Sequence, residues 1–257
     1  MIHGLYTSTW GAIASQIRHE VIANNIANVN TTAFHPDWTV LRSYPNLEEA
    51  RGELSRPDRR VLWSAGGGAM VAETRTSSLS GPVRATQRST DLAIKDEGAF
   101  FVVRREDAVR YTRAGDFQVG PRGELLTADG GWQVLGENGP INVGDSDFAV
   151  DVNGRISREV IGQGSQDLGQ IRLVRFEHPD RLLKVGGNLY EAPEDAGVQG
   201  AADCGVEQFA LEMSGTNAAE AMVQMIEASR AYEANVQFMR SADQLLGEAA
   251  SQIARLG

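Results

Sequence analysis

From Asn217 to Leu256, apolar or small residues recur at alternating steps of four and three: Ala218, Met222, Met225, Ser229, Tyr232, Val236, Met239, Asp243, Leu246, Ala250 and Ile253. That is a heptad stripe, and it predicts a long amphipathic helix. Between these positions stand Glu220, Gln224, Glu227, Arg230, Glu233, Gln237, Arg240 and Glu248, so one narrow stripe wants a partner and the rest wants water. Asn217 followed by Glu220 resembles a capping box at the helix start. About 36 residues at 1.5 Å each would give a rod of roughly 54 Å, too long to bury its stripe within its own domain. A second helical pattern opens the chain. Ile2 to Val29 holds no proline; Tyr6, Trp10, Ile13, Ile17 and Val21 fall at helical spacing, with Leu5, Ala12, His19, Ile22, Ile26 and Val29 on a neighbouring stripe. Thr31, Thr32, Phe34 and then Pro36 end it. Two arrangements fit: a helical hairpin closing the two termini, or a coiled coil between chains.

Between the helices the period changes. Residues 37–70 mix Trp38, Val40, Leu41, Tyr44 and Leu47 with a charged run interrupted by Pro45 and Pro57, which suggests an extended connector ending in the flexible Gly66-Gly67-Gly68. From 71 to 205 short strand-like runs alternate with turns: Leu92 to Ile94, Phe100 to Val103, Val109 to Thr112, Asp116 to Val119, Leu125 to Thr127, Trp132 to Leu135, Ala149 to Val152, Arg155 to Ser157 and Gly169 to Phe176. Asn153-Gly154 reads as a tight type I′ hairpin turn. Residues 206–257 would comprise a return strand and the C-terminal helix. The expected fold class is α+β: N- and C-terminal helices forming a coiled-coil-like pair, around a mainly antiparallel β-barrel or sandwich. The expected domains are 1–36, 37–70, 71–205 and 206–257.

Composition narrows the function. The formal net charge is -10, from 24 basic and 34 acidic residues, leaving no basic surplus for phosphates, so nucleic acid is not an expected partner. One cysteine, Cys204, rules out an internal disulfide and any multi-thiolate metal site. The N-terminus lacks the basic and apolar regions of a secretory signal, and no apolar run is long enough to insert in a membrane. The histidines His3, His19, His35 and His178 show no ligand spacing. Asp145 to Asp147 and Asp151 to Gly154 resemble calcium loops only briefly, because oxygen ligands do not continue at every second position. No nucleophile elbow or phosphate-binding loop is present, so neither catalysis nor a cofactor or metal is expected.

One polar cluster stands apart. Asn24, Asn25 and Asn28 lie within the first helical pattern, although asparagine competes with helical backbone bonding. Their carboxamides suggest hydrogen bonds to a neighbouring chain and a role in fixing register.

These residues carry a family resemblance. Ala23-Asn24-Asn25-Ile26-Ala27-Asn28-Val29-Asn30-Thr31-Thr32-Ala33-Phe34 resembles the signature A-N-N-L-A-N-x-x-T-x-G-[FY] at the start of bacterial flagellar rod and hook proteins. Ser214 to Asn235 resembles the C-terminal signature of the same family, S-N-V-N-x-x-E-x-M-V-x-M-I-x-x-x-R-x-Y-E-x-N. Thr90 to Ile94, Glu97 to Phe101, Arg110 to Phe117 and Leu125 to Gly130 resemble its central β domain. The chain departs from the pattern at Ala33 and Ala99, where glycine is usual, and at Gly215, where asparagine is usual. Length and connector narrow the choice to the rod proteins with one β domain, the proximal and distal types, and of these the proximal type is the expected one. The resemblance implies a basal-body rod subunit that polymerises into a helical tube. Its partners would be itself, other rod and hook subunits and the flagellar type III export apparatus, with export leaving an uncleaved N-terminus. The expected assembly interface comprises Tyr6, Trp10, Ile13, Ile17, Asn24, Asn25, Asn28, Met222, Met225, Tyr232, Val236, Met239 and Leu246, with the helices ordered only on assembly. A freestanding coiled-coil adaptor is the first alternative. A β-barrel enzyme acting on the cell wall is the second, and it requires an acidic pair in a cleft.

Overall fold

The computed structural model describes residues 2–43, 68–144, 147–160, 164–200 and 204–256. Residues 44–67, including Tyr44, Leu47 and most of the expected glycine joint, lie outside them, as do Asp145 and Ser146. The chain divides into two compact units: the described parts of Met1–Ala27, Asp37–Arg75 and Asn217–Gly257 form one, and those of Asn28–Pro36 and Thr76–Thr216 the other. Among the described residues no helix is long and apolar enough to cross a membrane.

The first unit is a helix pair with a small ribbon. Helix α1 spans Ile2–Ala27 and α2 spans Ala218–Leu256. Asn217 caps α2 as expected: its Oδ1 accepts from the Ala219 N–H at 3.1 Å and the Glu220 N–H at 3.4 Å. The Glu220 carboxylate accepts from Gln224 Nε2 at 3.1 Å. Hydroxyl residues are tolerated inside α1 because each bonds back one turn, Ser8 to the Gly4 carbonyl and Ser15 to the Gly11 carbonyl, both at 2.8 Å.

The helices run antiparallel, since Gly4 lies against Phe238, Gly11 against Asn235, and Ile22 packs with Ala221 and Ala228. The seam keeps the expected heptad period with a different phase. Ala218, Met225, Met239 and Leu246 are half-buried within it, but the second row is Ala221, Ala228, Asn235 and Ala242, one residue ahead of Met222, Ser229, Val236 and Asp243. On α1 the facing row is Ser8, Ala12, Ser15, His19, Ile22 and Ile26, while Tyr6 and Ile13 turn to solvent. Small residues on both sides let the backbones approach closely, and shape complementarity outweighs side-chain hydrophobicity in choosing the face. A Cβ placed on Gly11 would stand 2.8 Å from Asn235 Oδ1.

Strands β1 (Asp37–Ser43) and β2 (Ala69–Thr76) form a two-stranded ribbon beside the helices. Asn25, buried near the end of α1, ties it down. Its amide donates to the Asp37 carbonyl at 2.6 Å and its Oδ1 accepts from the Asp37 N–H at 2.9 Å, so the carboxamide replaces one residue of a ladder.

The second unit carries the β structure. Strand β5 (Ala99–Arg105) is its spine, pairing with β6 (Ala108–Thr112) along one edge and with β9 (Gln133–Gly136) and β14 (Leu173–Phe176) along the other. Side chains alternate faces with period two. Ala99, Phe101 and Val103 therefore enter one apolar cluster, with Leu92, Phe117, Leu125, Val134 and Val206, while Phe100 and Val102 enter another with Phe176, Leu182 and Tyr190. The sheet is buried on both faces and remains open: its strand path runs to free ends at β15 (Leu183–Gly186) and β7 (Gln118–Val119), with no closed barrel among the described strands. Strands β11 (Ala149–Val150), β12 (Arg155–Val160) and β13 (Gly164–Gln170) make a separate antiparallel sheet. The Asn153-Gly154 turn is not the tight two-residue form. Only Gly154 has positive φ, and the Asp151 carboxylate accepts from both the Asn153 and Arg155 N–H groups at 2.9 Å, holding a longer loop. That use also accounts for the acidic residue that resembled a calcium ligand. Gly115 is required by close approach, because a Cβ there would stand 1.7 Å from the Leu92 carbonyl oxygen.

At the centre of this unit is a buried charge cluster. Arg113 Nε donates to Glu212 Oε2 at 2.7 Å, with both residues 1% exposed. Further Arg113 bonds go to the Asp96 and Ala99 carbonyls at 3.0 and 2.8 Å. The other Glu212 oxygen accepts from the Gly81 N–H at 2.9 Å and lies 3.3 Å from His35 Nε2. Burial pushes the Glu212 carboxyl up, yet its bonds to His35, Arg113 and Gly81, with the guanidinium charge, hold it below the ordinary carboxylate value. Four stretches distant in sequence, around His35, Gly81, Arg113 and Glu212, are thereby joined. Ala33, two residues before His35, has φ +51 and donates its N–H to the Glu212 carbonyl at 2.8 Å. This is the left-handed conformation for which glycine is favoured, so one family glycine has a backbone reason here. Ala99 is different: it sits in an ordinary buried strand position.

Candidate assembly surface

The helix pair leaves large apolar side chains in water. Of the residues expected at an assembly interface, Tyr6, Ile13, Met222 and Tyr232 are between 42% and 65% exposed. Trp10, Ile17, Met225, Val236, Met239 and Leu246 are half-buried within the chain. Trp10 lies beside Gly68 just ahead of β2. Asn25 is committed to Asp37, Asn24 is exposed, and in the second unit Asn28 Oδ1 accepts from the Thr31 hydroxyl at 3.1 Å. The structure adds Val223, Ile226, Phe238 and Leu245, all more than half exposed. Their signal was present in the sequence as apolar residues outside the stripe, where an amphipathic helix places polar ones. Met222, Val223 and Ile226 share one stretch of surface, since positions three and four apart are neighbours on a helix. Arg18 and Glu227 cross the pair at 3.9 Å in the open, an ion pair of little energetic weight.

The enzyme reading required an acidic pair in a cleft. Asp116 and Asp129 do line one cleft of about 250 Å³ in the β unit, together with Thr32, Thr127 and Asn188. Burial pushes the Asp116 carboxyl up, Asp91 adding to it against its own backbone bond and Arg88. Asp129, however, is engaged by the Thr127 hydroxyl and by the Gly131 N–H at 3.2 Å, which makes it a turn residue.

A helix pair that closes largely on small residues and leaves several large apolar ones exposed has the surface of a protein that contacts other proteins. Comparison with known proteins gives the family. The model described as "Flagella basal body rod protein" matches residues 5–34, and that described as "Flagellar basal body rod FlgEFG protein C-terminal" matches residues 207–253. The flagellar basal-body rod protein FlgG of Buchnera aphidicola subsp. Acyrthosiphon pisum is 34% identical to this chain, the match covering 96% of the chain and 98% of the relative. FlgG of Borreliella burgdorferi is 31% identical over 96% of the chain and 97% of the relative. FlgF of Caulobacter vibrioides is 29% identical over 100% of both. This chain belongs to the flagellar basal-body rod protein family. It is a structural subunit, not an enzyme, and its place is the flagellar basal body, in assembly with other flagellar components.

Proposed function

We propose that the chain polymerises through its two terminal helices into the helical tube of the rod, the helices supercoiling as a coiled-coil pair. The observation that carries this reading is the division of labour on those helices: alanine, serine and glycine close the pair, and Tyr6, Ile13, Met222, Val223, Ile226, Phe238 and Leu245 stay exposed. Patches of this kind mark protein interaction sites. Each large side chain covered on assembly contributes about 1.5–3 kcal/mol, so a few such contacts per subunit suffice to hold the polymer. The tube would transmit torque and conduct exported subunits. The family resemblance further supports delivery of the subunit by the flagellar type III apparatus with its N-terminus intact, which mass spectrometry of the subunit from purified basal bodies would test.

The central experiment is Ile226→Asp, a charge placed on an exposed helical site. The monomer keeps its helical circular dichroism, and incorporation into basal bodies and motility are lost; Leu183→Asp, equally exposed on the β unit, incorporates normally. Normal rods built from the Ile226→Asp subunit would overturn the reading. Sedimentation at rising concentration separates it from the coiled-coil adaptor, which would stop at a closed dimer.

A further inference from the structure

The helix pair has two unlike flanks. On one, Ser15, Gln16 and His19 of α1 and Ala228, Ser229 and Tyr232 of α2 enclose a notch of about 230 Å³. It exists because three small residues, Ser15, Ala228 and Ser229, coincide where the helices touch, and it is large enough for one aromatic side chain. On the other flank Phe238 stands out at 54% exposed, with Leu245 at 56%. Relative to the alanine row that meets α1, Ser229 is rotated by about +100° and Phe238 by about −60°, from 100° per residue. Knob and notch therefore lie on opposite sides of the seam.

Phe238 is also held. Its ring rests over Gly4, where an added Cβ would stand 3.3 Å from Cε1. A braced ring loses little rotamer freedom on docking, which favours it over longer, freer side chains as an anchor. Each molecule thus displays one rigid aromatic knob and one apolar-walled notch of matching size, on different faces.

We propose that Phe238 of one copy seats in the Ser15/Ala228/Ser229 notch of a second copy. The inference rests on the rod-subunit reading and specifies its contact. Because donor and acceptor surfaces differ, the contact is heterologous: every docked copy still offers a free knob on one side and a free notch on the other. Repetition without closure builds an open helical array, whereas a self-complementary patch would stop at a dimer. The alanine seam then has a second role, since larger residues at Ala228 would fill the notch from beneath.

The test uses two variants of the full chain and sedimentation velocity. Ser229→Phe fills the notch and keeps the knob; Phe238→Ala removes the knob and keeps the notch. Each alone should stay monomeric at concentrations at least tenfold above those where wild type associates, with unchanged helical circular dichroism. Mixed one to one, they should form dimers and nothing longer, because one good knob and one good notch remain between them. Ser229→Ala, which leaves the notch open, should associate as wild type does. Elongation of either blocked variant at wild-type concentrations, or a mixture that yields no dimer, would overturn the proposal. Failure of wild type to grow beyond a dimer would instead count against the rod polymer, while the mixture still decides the contact.

Discussion

The β unit and the helix pair bury their side chains in opposite ways. In the β unit, aromatic and branched residues such as Phe101, Phe117, Leu125, Ile156 and Val206 are almost entirely removed from water, and even Arg113 and Glu212 are enclosed with their partners. Among the described residues of the helix pair the buried ones are chiefly Ala12, Ala14, Ala221, Ala228 and Ala242, with Ile22 the one large apolar residue among them. Burial of a methyl group is worth far less than burial of a phenyl ring. The β unit holds itself together, and the pair leaves Tyr6, Met222, Val223, Ile226, Phe238 and Leu245 in water. A long helix with so thin a core is marginal alone and gains when it is packed.

The comparison breaks most sharply at Arg113. Arg113→Met leaves the Glu212 carboxylate buried without its cation and should destabilise the β unit by about 3–5 kcal/mol, read as a lower denaturation midpoint by near-ultraviolet signal while the helical signal is retained. Loss of both signals together would show the two units to be one cooperative body.

The same cluster should respond to acid. Glu212 has a folded pKa below its ordinary 4.5, so it releases its proton more readily in the folded state. Its stabilising contribution is complete above that value and is lost as pH falls through the lower folded value. The midpoint of the β unit should therefore drop below about pH 4.5, and Glu212→Gln should lower it at neutral pH while flattening that slope.

A smaller effect belongs to the helices. Ala228→Met overfills the seam and should cost about 1–3 kcal/mol, seen as faster hydrogen exchange along both helices with the β unit unaffected. Smaller still, Asn217→Ala removes the cap of α2 and should cost about 1 kcal/mol, confined to exchange in the first turn of that helix. Uniform protection across both units in wild type would contradict the claim that the pair is the weaker of the two.

Legibility in the sequence divides along the same line. The strand runs around Phe101 and Leu125 were readable because short apolar, β-branched and aromatic stretches bounded by turn residues are a local property. The helices and the Asn217 cap were readable for the same reason. The phase of the seam was not: hydrophobic weighting selected Met222 and Val236, and close packing against glycine and serine selected Ala221 and Asn235. Asn25 was readable as unusual, but its use is internal, since nothing local shows that Asp37 returns to meet it. The Asn153-Gly154 loop departs from the form its dipeptide favours because the Asp151 side chain shapes it.

By itself, then, the amino-acid sequence determined the two terminal helices and the mainly antiparallel β region, and it carried the motifs that resemble the family's. Each of these rests on composition or on spacing between near neighbours. Only the tertiary structure decided which helical face is buried inside the chain and which is left exposed, and that His35, Arg113 and Glu212 meet in one buried cluster. Those outcomes depend on contacts between residues 99 or more positions apart, where shape and pairing act and periodicity carries no information.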